Sequence, residues 1–150
     1  MIAFDTNILI YAELPADDDS RHQKAANLLR RAGLVGSIMP LQVLGEFLHV
    51  CRRKAVINHE FALQRTQTFA SVFDTPPTSL NDVINAQVLL QKFNLQFFDA
   101  LIITVASRAG ATILLSEDMH DGLEIEGLKI VNPFVIANEI LLADYFGSVA

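Results

Sequence analysis

Short apolar runs alternate along the chain with longer segments in which apolar residues recur at helical spacing. The clearest example starts at Phe97 and keeps helical spacing as far as Gly110, which stands where a helix typically ends. The next residues, 111–115, form the short apolar run typical of a buried strand. This pattern predicts one helix-then-strand unit, with Asp99 in the first turn of the helix and Asp118 just beyond the carboxyl end of the strand.

The start of the chain carries the same kind of signal. Residues 1–4 are apolar and are followed directly by Asp5-Thr6-Asn7, which predicts a central strand buried on both faces. Apolar runs at 34–38 and 128–131 predict further strands. Because strands alternate with helical segments, we expect an α/β fold, a three-layer α/β/α sandwich with a mostly parallel sheet. The helices are expected at 8–14, 20–32, 40–54, 59–73, 80–93 and after Phe134.

Several helix ends and faces carry predictions of their own. Asp17-Asp18-Asp19-Ser20 is typical of a helix start, since acids suit the positive end of the helix dipole, and plain capping is favoured over metal binding. Pro15 is expected to end the preceding helix, and Gly33 to close the following one. Ser79 and Asp82 are spaced like a capping box, with Asp in place of the usual Glu or Gln. The apolar face of the last helix is predicted to comprise Ile136, Ile140, Leu141 and Tyr145.

The composition agrees with a single domain spanning residues 1–150. The chain has 150 residues and is 51% hydrophobic, which is enough for a substantial core. It has no uncharged apolar stretch of about 18 residues and no basic start followed by an apolar run, so we expect a cytoplasmic protein without membrane association. The single cysteine, Cys51, shares a helical stripe with Leu44 and Leu48 and is interpreted as core packing in a reducing compartment.

Charge is unevenly distributed along the chain. The net charge of −6 by itself argues against a nucleic-acid partner. Residues 20–110, however, hold ten Lys or Arg against five Asp or Glu, a balance of +5, whereas the two flanks hold one against twelve, a balance of −11. This distribution allows a cation-binding pocket beside a phosphate-binding face. A basic run, Arg52-Arg53-Lys54, closes a predicted helix and either complements the helix dipole or contacts phosphate.

The acids that follow the predicted strands point to metal chemistry. Asp5 and Asp118 each follow a strand, and Asp99 opens a helix that could approach the same edge of the sheet, where open α/β folds bind ligands. Carboxylates brought together either hold protons at a raised pKa or bind a divalent cation, and Mg²⁺ prefers such oxygen ligands. Glu46 points away from the apolar stripe of its helix, so periodicity alone makes it a solvated residue. His120 is interpreted as an exposed turn residue rather than a ligand.

Taken together, these motifs resemble those of a known family. Four motifs resemble those of the PIN-domain nucleases in their order and spacing. They are Asp5-Thr6-Asn7-Ile8-Leu9, Glu46-Phe47, Phe98-Asp99-Ala100-Leu101-Ile102 and Ser116-Glu117-Asp118. The similarity spans nearly the whole chain and is greatest to the VapC-like toxin branch of bacterial and archaeal toxin–antitoxin pairs. It implies a five-stranded parallel sheet and a Mg²⁺- or Mn²⁺-dependent endoribonuclease, often a homodimer, that is inhibited by a cognate antitoxin.

The resemblance also implies roles for individual residues. Asp5, Glu46, Asp99 and Asp118 correspond to the acidic catalytic quartet, in which Asp5, Asp99 and Asp118 hold the metal directly or through water. From these acids we further expect Glu46 to orient or deprotonate a metal-bound water that attacks an RNA phosphodiester. Because no histidine pair is placed for attack by the 2′-hydroxyl, we expect hydrolysis to leave a 5′-phosphate. The sequence leaves open which of the neighbouring acids at 117 and 118 faces the metal. Supporting polar contacts are expected from Thr6, Asn7, Ser116 and Glu117, and RNA contacts from Arg52, Arg53 and Lys54.

Two other classes of protein fit parts of the pattern. Aspartate-based phosphotransfer proteins also place an Asp after the first strand. Phosphatases of the haloacid-dehalogenase type, however, need a second acid two residues later, where Asn7 stands, and receiver domains need paired acids and a lysine after the last strand. Here Phe4 precedes Asp5, and Lys129 lies within the predicted strand. The other class is a non-catalytic PIN-like binding module, which would keep the fold and its partners without the chemistry.

Overall fold

A computed structural model of the protein describes residues 1–14, 20–54 and 58–149. The predicted helix start at Asp17-Asp18-Asp19 and the predicted helix end at Pro15 lie outside these residues. The strands are β1 (Ile2–Phe4), β2 (Ile113–Leu115), β3 (Glu124–Ile125) and β4 (Leu128–Val131). The helices are α1 (Thr6–Glu13), α2 (Ser20–Val35), α3 (Leu41–Lys54), α4 (His59–Val72), α5 (Leu80–Lys92), α6 (Phe97–Arg108) and α7 (Glu139–Val149), and a 3₁₀ turn (Ile136–Asn138) precedes α7.

The sheet aligns the carboxyl ends of three parallel strands. Its order in the described chain is β1-β2-β4-β3, in which β1 pairs with β2 and β2 with β4 in parallel, while the short β3 is antiparallel to β4. Every residue of β1 and β2 is buried, so both faces of the sheet are covered. The predicted α/β class with a mostly parallel sheet is therefore confirmed, and the covered faces agree with a three-layer sandwich.

The sheet differs from the expected one in strand number. Over the described ranges it has four strands, not five, and the predicted strand at 34–38 is wrong. Helix α2 continues to Val35, and Gly36 then adopts a φ of +76° that turns the chain out of the helix. Of residues 34–38, only Ile38 pairs with β1, through an isolated bridge to Ala3, and it forms a second isolated bridge to Asp74. Single-residue bridges thus extend the sheet where a full strand was expected, because the turn at Gly36 leaves too short a segment to pair.

The prediction that Gly33 closes α2 is also wrong. The helix runs through Gly33 and ends two residues later. A Cβ atom at position 33 would lie 2.9 Å from Cγ1 of Val72, a distance below van der Waals contact. The absence of a side chain therefore lets α2 lie close to the end of α4, and the glycine serves packing rather than helix termination.

The predicted apolar face of the last helix is partly wrong. Ile136 and Ile140 are 78% and 74% exposed, whereas Leu142 and Phe146 are buried. The 3₁₀ turn at 136–138 changes the rotation per residue before α7 begins, so helical spacing counted from Ile136 selects the wrong side. Leu141 and Tyr145 do pack partly against the core.

The predicted capping box at the start of α5 is confirmed, and it also joins two helices. The Ser79 amide donates to Asp82 Oδ2 at 2.7 Å, and the Asp82 amide donates to Ser79 Oγ at 3.2 Å. Arg108 of α6 donates to both Asp82 carboxylate oxygens at 2.8 Å. The Arg108 guanidinium holds the pKa of Asp82 down at about 2. This contact fixes α6, the helix that carries Asp99, against α5.

Two expectations from composition can be compared with the structure. Cys51 is buried and forms no disulfide, so its predicted place in the core is confirmed. No single helix in the described part of the chain has the length and apolar character needed to cross a membrane. Helices α5 and α6 meet such criteria only when taken as a pair, with a bend of 117° between them.

Candidate active site

Asp5 occupies the point where β1 ends and α1 begins. Its amide donates to the carbonyl of Leu115 at 2.9 Å, so the ends of β1 and β2 lie side by side. The carboxylate caps α1 by accepting from the Thr6 amide at 2.7 Å, and it accepts from Ser116 Oγ at 2.7 Å. Burial raises the pKa of Asp5 to about 6, and the charges of Asp99 and Glu46 act in the same direction against these two hydrogen bonds.

Asn7 links Asp5 to Asp118 across the carboxyl edge of the sheet. Its Nδ2 lies 3.2 Å from Asp5 Oδ2 and 3.1 Å from Asp118 Oδ2. Its Oδ1 accepts from the Glu117 amide at 3.2 Å. One side-chain amide therefore brings together two carboxylates that are more than a hundred residues apart in sequence.

Glu46 lies on the same side of the molecule, one helical turn after Gln42 on α3. Thr6 Oγ1 donates to Glu46 Oε2 at 2.6 Å, and Gln42 Nε2 donates to Glu46 Oε1 at 2.6 Å. The interpretation of Glu46 as a solvated residue is wrong, because α3 packs against α1 and turns this side chain toward Thr6. Gln42 was not singled out in the sequence, although its i, i+4 spacing from Glu46 is a detectable signal.

Asp99 enters the site from the first turn of α6. Burial raises its pKa, and the charges of Glu46 and Asp118 raise it further. A cleft of about 550 Å³, open to solvent, is lined by acids from four separate parts of the chain. These acids are Asp5, Glu46, Asp99 and the neighbouring pair Glu117 and Asp118.

Residues 2–120 match the family model described as PIN domain, a region that includes all of these acids. The chain belongs to the PIN-domain family. The predicted family is thus confirmed, and it supports a nuclease, which is a hydrolase, as the class of activity. It gives no support to the phosphotransfer alternatives, which belong to other families. Among curated proteins, none matches this chain significantly.

Two solved structures resemble this PIN domain in fold. A toxin–antitoxin complex from Klebsiella pneumoniae includes a chain that is 24% identical, with a TM-score of 0.67 over 91% of this chain and 100% of that chain. Mycobacterium tuberculosis VapC20, a toxin that cleaves the sarcin–ricin loop, is 19% identical, with a TM-score of 0.62 over 79% of this chain and 90% of that chain. At these identities the two structures support the fold alone.

The two neighbouring acids after β2 have different partners. Glu117 accepts from Arg21 Nη1 at 2.9 Å, and the same nitrogen donates to the Tyr11 hydroxyl at 2.7 Å. Asp118 is exposed and contacts Asn7 instead. Both acids line the cleft, but the charge of Glu117 is balanced by Arg21, whereas the charge of Asp118 contributes to the raised pKa of Asp99. Sequence reasoning missed Arg21 and Tyr11, because their contact depends on how α1 and α2 pack.

The predicted basic trio is divided between two surfaces of this PIN domain. Arg53 and Lys54 line the acidic cleft. Arg52 lines a different cavity together with His49 and His59. Consecutive helical residues point about 100° apart, so a run of three cannot face one site. The predicted RNA contact of Arg52 is therefore not supported at this cleft.

The cleft offers oxygen donors of the kind that a divalent ion requires. In residues 1–14, 20–54 and 58–149, no three His, Cys, Asp or Glu side chains are close enough together to hold one metal ion. The donors in the cleft are carboxylate, amide and hydroxyl oxygens, which Mg²⁺ and Mn²⁺ prefer. Mg²⁺ usually binds through one or two carboxylates and retains several waters. The residues therefore fit an ion that is held partly through water. The sequence predicted that the acids hold the metal either directly or through water.

Proposed function

We propose that this protein is a metal-dependent endoribonuclease and the toxin of a toxin–antitoxin pair. The observation that carries the proposal is the cleft itself, where Asp5, Glu46, Asp99 and Asp118 meet although they come from four separate segments. Burial is the main cause of the raised pKa values of Asp5 and Asp99, and repulsion among the four carboxylates adds to it. A divalent cation would relieve that repulsion and would also attract the negatively charged phosphodiester of a substrate. The two similar structures, a toxin–antitoxin complex and an RNA-cleaving toxin, support the biological role.

In the proposed mechanism, Asp5, Asp99 and Asp118 hold Mg²⁺ or Mn²⁺, which supplies positive charge to the phosphodiester being cleaved. Glu46 orients or deprotonates the attacking water. It suits this role because Thr6 and Gln42 fix both of its oxygens at 2.6 Å. Ser116 and Asn7 hold Asp5 in place. Since no histidine lines the described part of the cleft, we expect hydrolysis by water that leaves a 5′-phosphate rather than attack by the RNA 2′-hydroxyl.

The proposed toxin acts on RNA in the cytoplasm and has two protein partners. A cognate antitoxin is proposed because one similar structure is a toxin–antitoxin complex. A homodimer is supported by apolar side chains that α5 exposes at helical spacing, Leu80, Val83, Ile84 and Val88. Size-exclusion chromatography with light scattering tests the dimer, and a monomer at micromolar concentration would remove it from the proposal.

Cleavage of RNA with and without a chelator tests the function directly. We expect purified protein to cut single-stranded RNA in Mg²⁺ or Mn²⁺, to stop cutting in EDTA, and to recover when Mn²⁺ is added in excess. The new ends should carry a 5′-phosphate and a 3′-hydroxyl. Cleavage that is unaffected by the chelator would contradict the metal dependence. No cleavage in either condition would favour the non-catalytic binding module.

The divided basic run gives a prediction for RNA binding. Arg53→Ala should weaken binding to all RNA sequences alike, and it should lower the slope of log affinity against log salt by about 0.7, the value for one phosphate contact on a single strand. Arg52→Ala is the matched control, because the Arg52 side chain lines a different cavity. Fluorescence anisotropy at several salt concentrations measures both. Equal effects of the two substitutions would show that the cleft does not set the path of the RNA.

A further inference from the structure

A second cavity of about 540 Å³ adjoins the acidic cleft at two of the proposed metal-binding acids. It shares Asp99 and Asp118 with the acidic cleft, so these two residues border both spaces. Its other polar lining residues are Asn94, Gln96 and His120, and its apolar ones include Phe93, Met119 and Leu123. We call it the amide cavity. A strand cut at the acids would have one neighbouring nucleotide in the cleft and the other in the amide cavity.

The two spaces differ in chemistry. Arg53 and Lys54 line the acidic cleft and suit phosphate, which carries no sequence information. None of the described residues lining the amide cavity is Lys or Arg. Its side-chain amides carry both donors and acceptors, which suit the edges of bases, and its apolar side chains can pack against a base face. The cleft is therefore suited to hold the RNA backbone, and the amide cavity to contact a base.

The side chains of Asn94 and Gln96 are not used by the fold. Gln96 occupies the N-cap position of α6, but its side chain makes no capping hydrogen bond. Both side chains are exposed, and neither forms a hydrogen bond within the described residues. Asn7 and Asn138, in contrast, are engaged in holding strand ends and turns. The amides of the cavity are thus available to a ligand.

The backbone that carries these two amides is well held. The Leu95 amide donates to the Phe93 carbonyl at 3.0 Å, and the Ala100 amide donates to the Gln96 carbonyl at 2.9 Å. The segment between α5 and α6 is only four residues long, and the two helices pack against each other. Available donors and acceptors on a fixed backbone are what selection of a base requires.

We propose that the amide cavity binds the base of a nucleotide adjacent to the cleaved bond, and that Asn94 and Gln96 select that base through hydrogen bonds. The inference rests on the proposed ribonuclease function and extends it to sequence preference. Asn94 and Gln96 are specificity residues, which contact the substrate away from the bond being broken.

The test is cleavage of an RNA pool with a randomised segment in Mn²⁺, followed by sequencing of the cut ends. For the wild-type protein we expect a preference of about tenfold or more between the best and worst base at one position next to the cut, in line with one good base contact. In the double variant Asn94→Ala/Gln96→Ala, this preference should fall to about twofold or less. Preferences at other positions should persist. Gln87→Ala, an exposed amide on α5 outside both spaces, is the matched control and should keep the wild-type pattern.

The possible outcomes separate the two levels of the proposal. Cleavage with the same base preference in wild type and the double variant would overturn the amide cavity alone, as would a wild-type enzyme that shows no preference next to the cut. Failure of the wild-type protein to cut the pool would overturn the ribonuclease function and the base contact with it. Arg53→Ala should slow cutting of all sequences in the same proportion, which distinguishes backbone contact from base selection.

Discussion

Asp5→Asn is expected to abolish RNA cleavage and, in the absence of metal, to make the protein more stable at neutral pH. Asn retains one oxygen that can accept from the Thr6 amide, and its Nδ2 takes the place of the oxygen that accepts from Ser116 and can donate to Ser116 Oγ instead, so the fold should persist. It removes the negative charge that the proposed metal requires, and cleavage should fall by about 100-fold or more. The charge that serves catalysis is the same charge that burial disfavours.

The sign of the stability change follows from the pKa of Asp5. Its folded value of about 6 lies above the ordinary 3.8, so the folded protein binds this proton more tightly than the unfolded chain does. Stability is therefore lost as the pH rises from 3.8 through 6, and the loss at pH 7.5 is up to about 3 kcal/mol. Asp5→Asn removes this penalty. The gain in the free energy of unfolding should be present at pH 7.5 and absent near pH 3.5.

Urea unfolding in EDTA at the two pH values, together with cleavage in Mg²⁺, measures both effects. Asp144→Asn is the matched control, because Asp144 is exposed on α7 and lies outside the cleft. It should change neither property. A variant at Asp5 that cuts RNA at the wild-type rate, or that unfolds more easily in EDTA at pH 7.5, would show that the buried carboxylate does not have the proposed role.

Asp82→Asn is expected to have the opposite effect on stability. Arg108 holds the pKa of Asp82 at about 2, below the ordinary 3.8. The stabilisation is therefore fully present above pH 3.8 and is lost as the pH falls through about 2. The Asp82 side chain is only 1% exposed, but the Arg108 side chain is 46% exposed, so solvent screens the pair in part and lowers its contribution. We expect Asp82→Asn to lower the free energy of unfolding at pH 7 by about 2 kcal/mol.

A double-mutant cycle with Arg108→Gln distinguishes this ion pair from the capping role of Asp82. The double variant should be less destabilised than the sum of the two single variants, because the pair is lost only once. Urea unfolding at pH 7 and at pH 2.5 measures the free energy of unfolding of the wild type, the two single variants and the double variant. Strictly additive effects, or a loss for Asp82→Asn that is as large at pH 2.5 as at pH 7, would contradict the assigned contribution of Arg108.

The parts of the fold that sequence predicted well are those with local signals. The apolar start that ends in Asp5 gave β1, and the helical spacing before Gly110, which has a φ of +96°, gave α6 and the following β2. The ends of these elements set the positions of Asp5, Asp99 and Asp118. The approximate positions of three of the four acids thus follow from where strands and helices stop.

The parts that sequence did not predict depend on packing between distant elements. Helical periodicity made Glu46 a solvated residue, and only the packing of α3 on α1 brings it to Thr6. The contact of Arg21 with Glu117 depends on how α1 and α2 pack, which brings the start of α2 close to the residues after β2. Gly33 carries a typical signal for a helix end, yet it serves close approach to Val72. In each case the deciding neighbour lies tens of residues away, beyond the range of local patterns.

The central claim is that Asp5, Asp99 and Asp118, which come from three separate segments, hold a divalent ion in one cleft. Diffraction from crystals grown with Mn²⁺, recorded near the manganese absorption edge, tests it most directly. We expect an anomalous peak in the cleft, within roughly 2 to 5 Å of carboxylate oxygens of Asp5, Asp99 and Asp118, which spans direct and water-mediated contact. A protein that cuts RNA in Mn²⁺ but shows no anomalous peak among these three carboxylates would contradict the account.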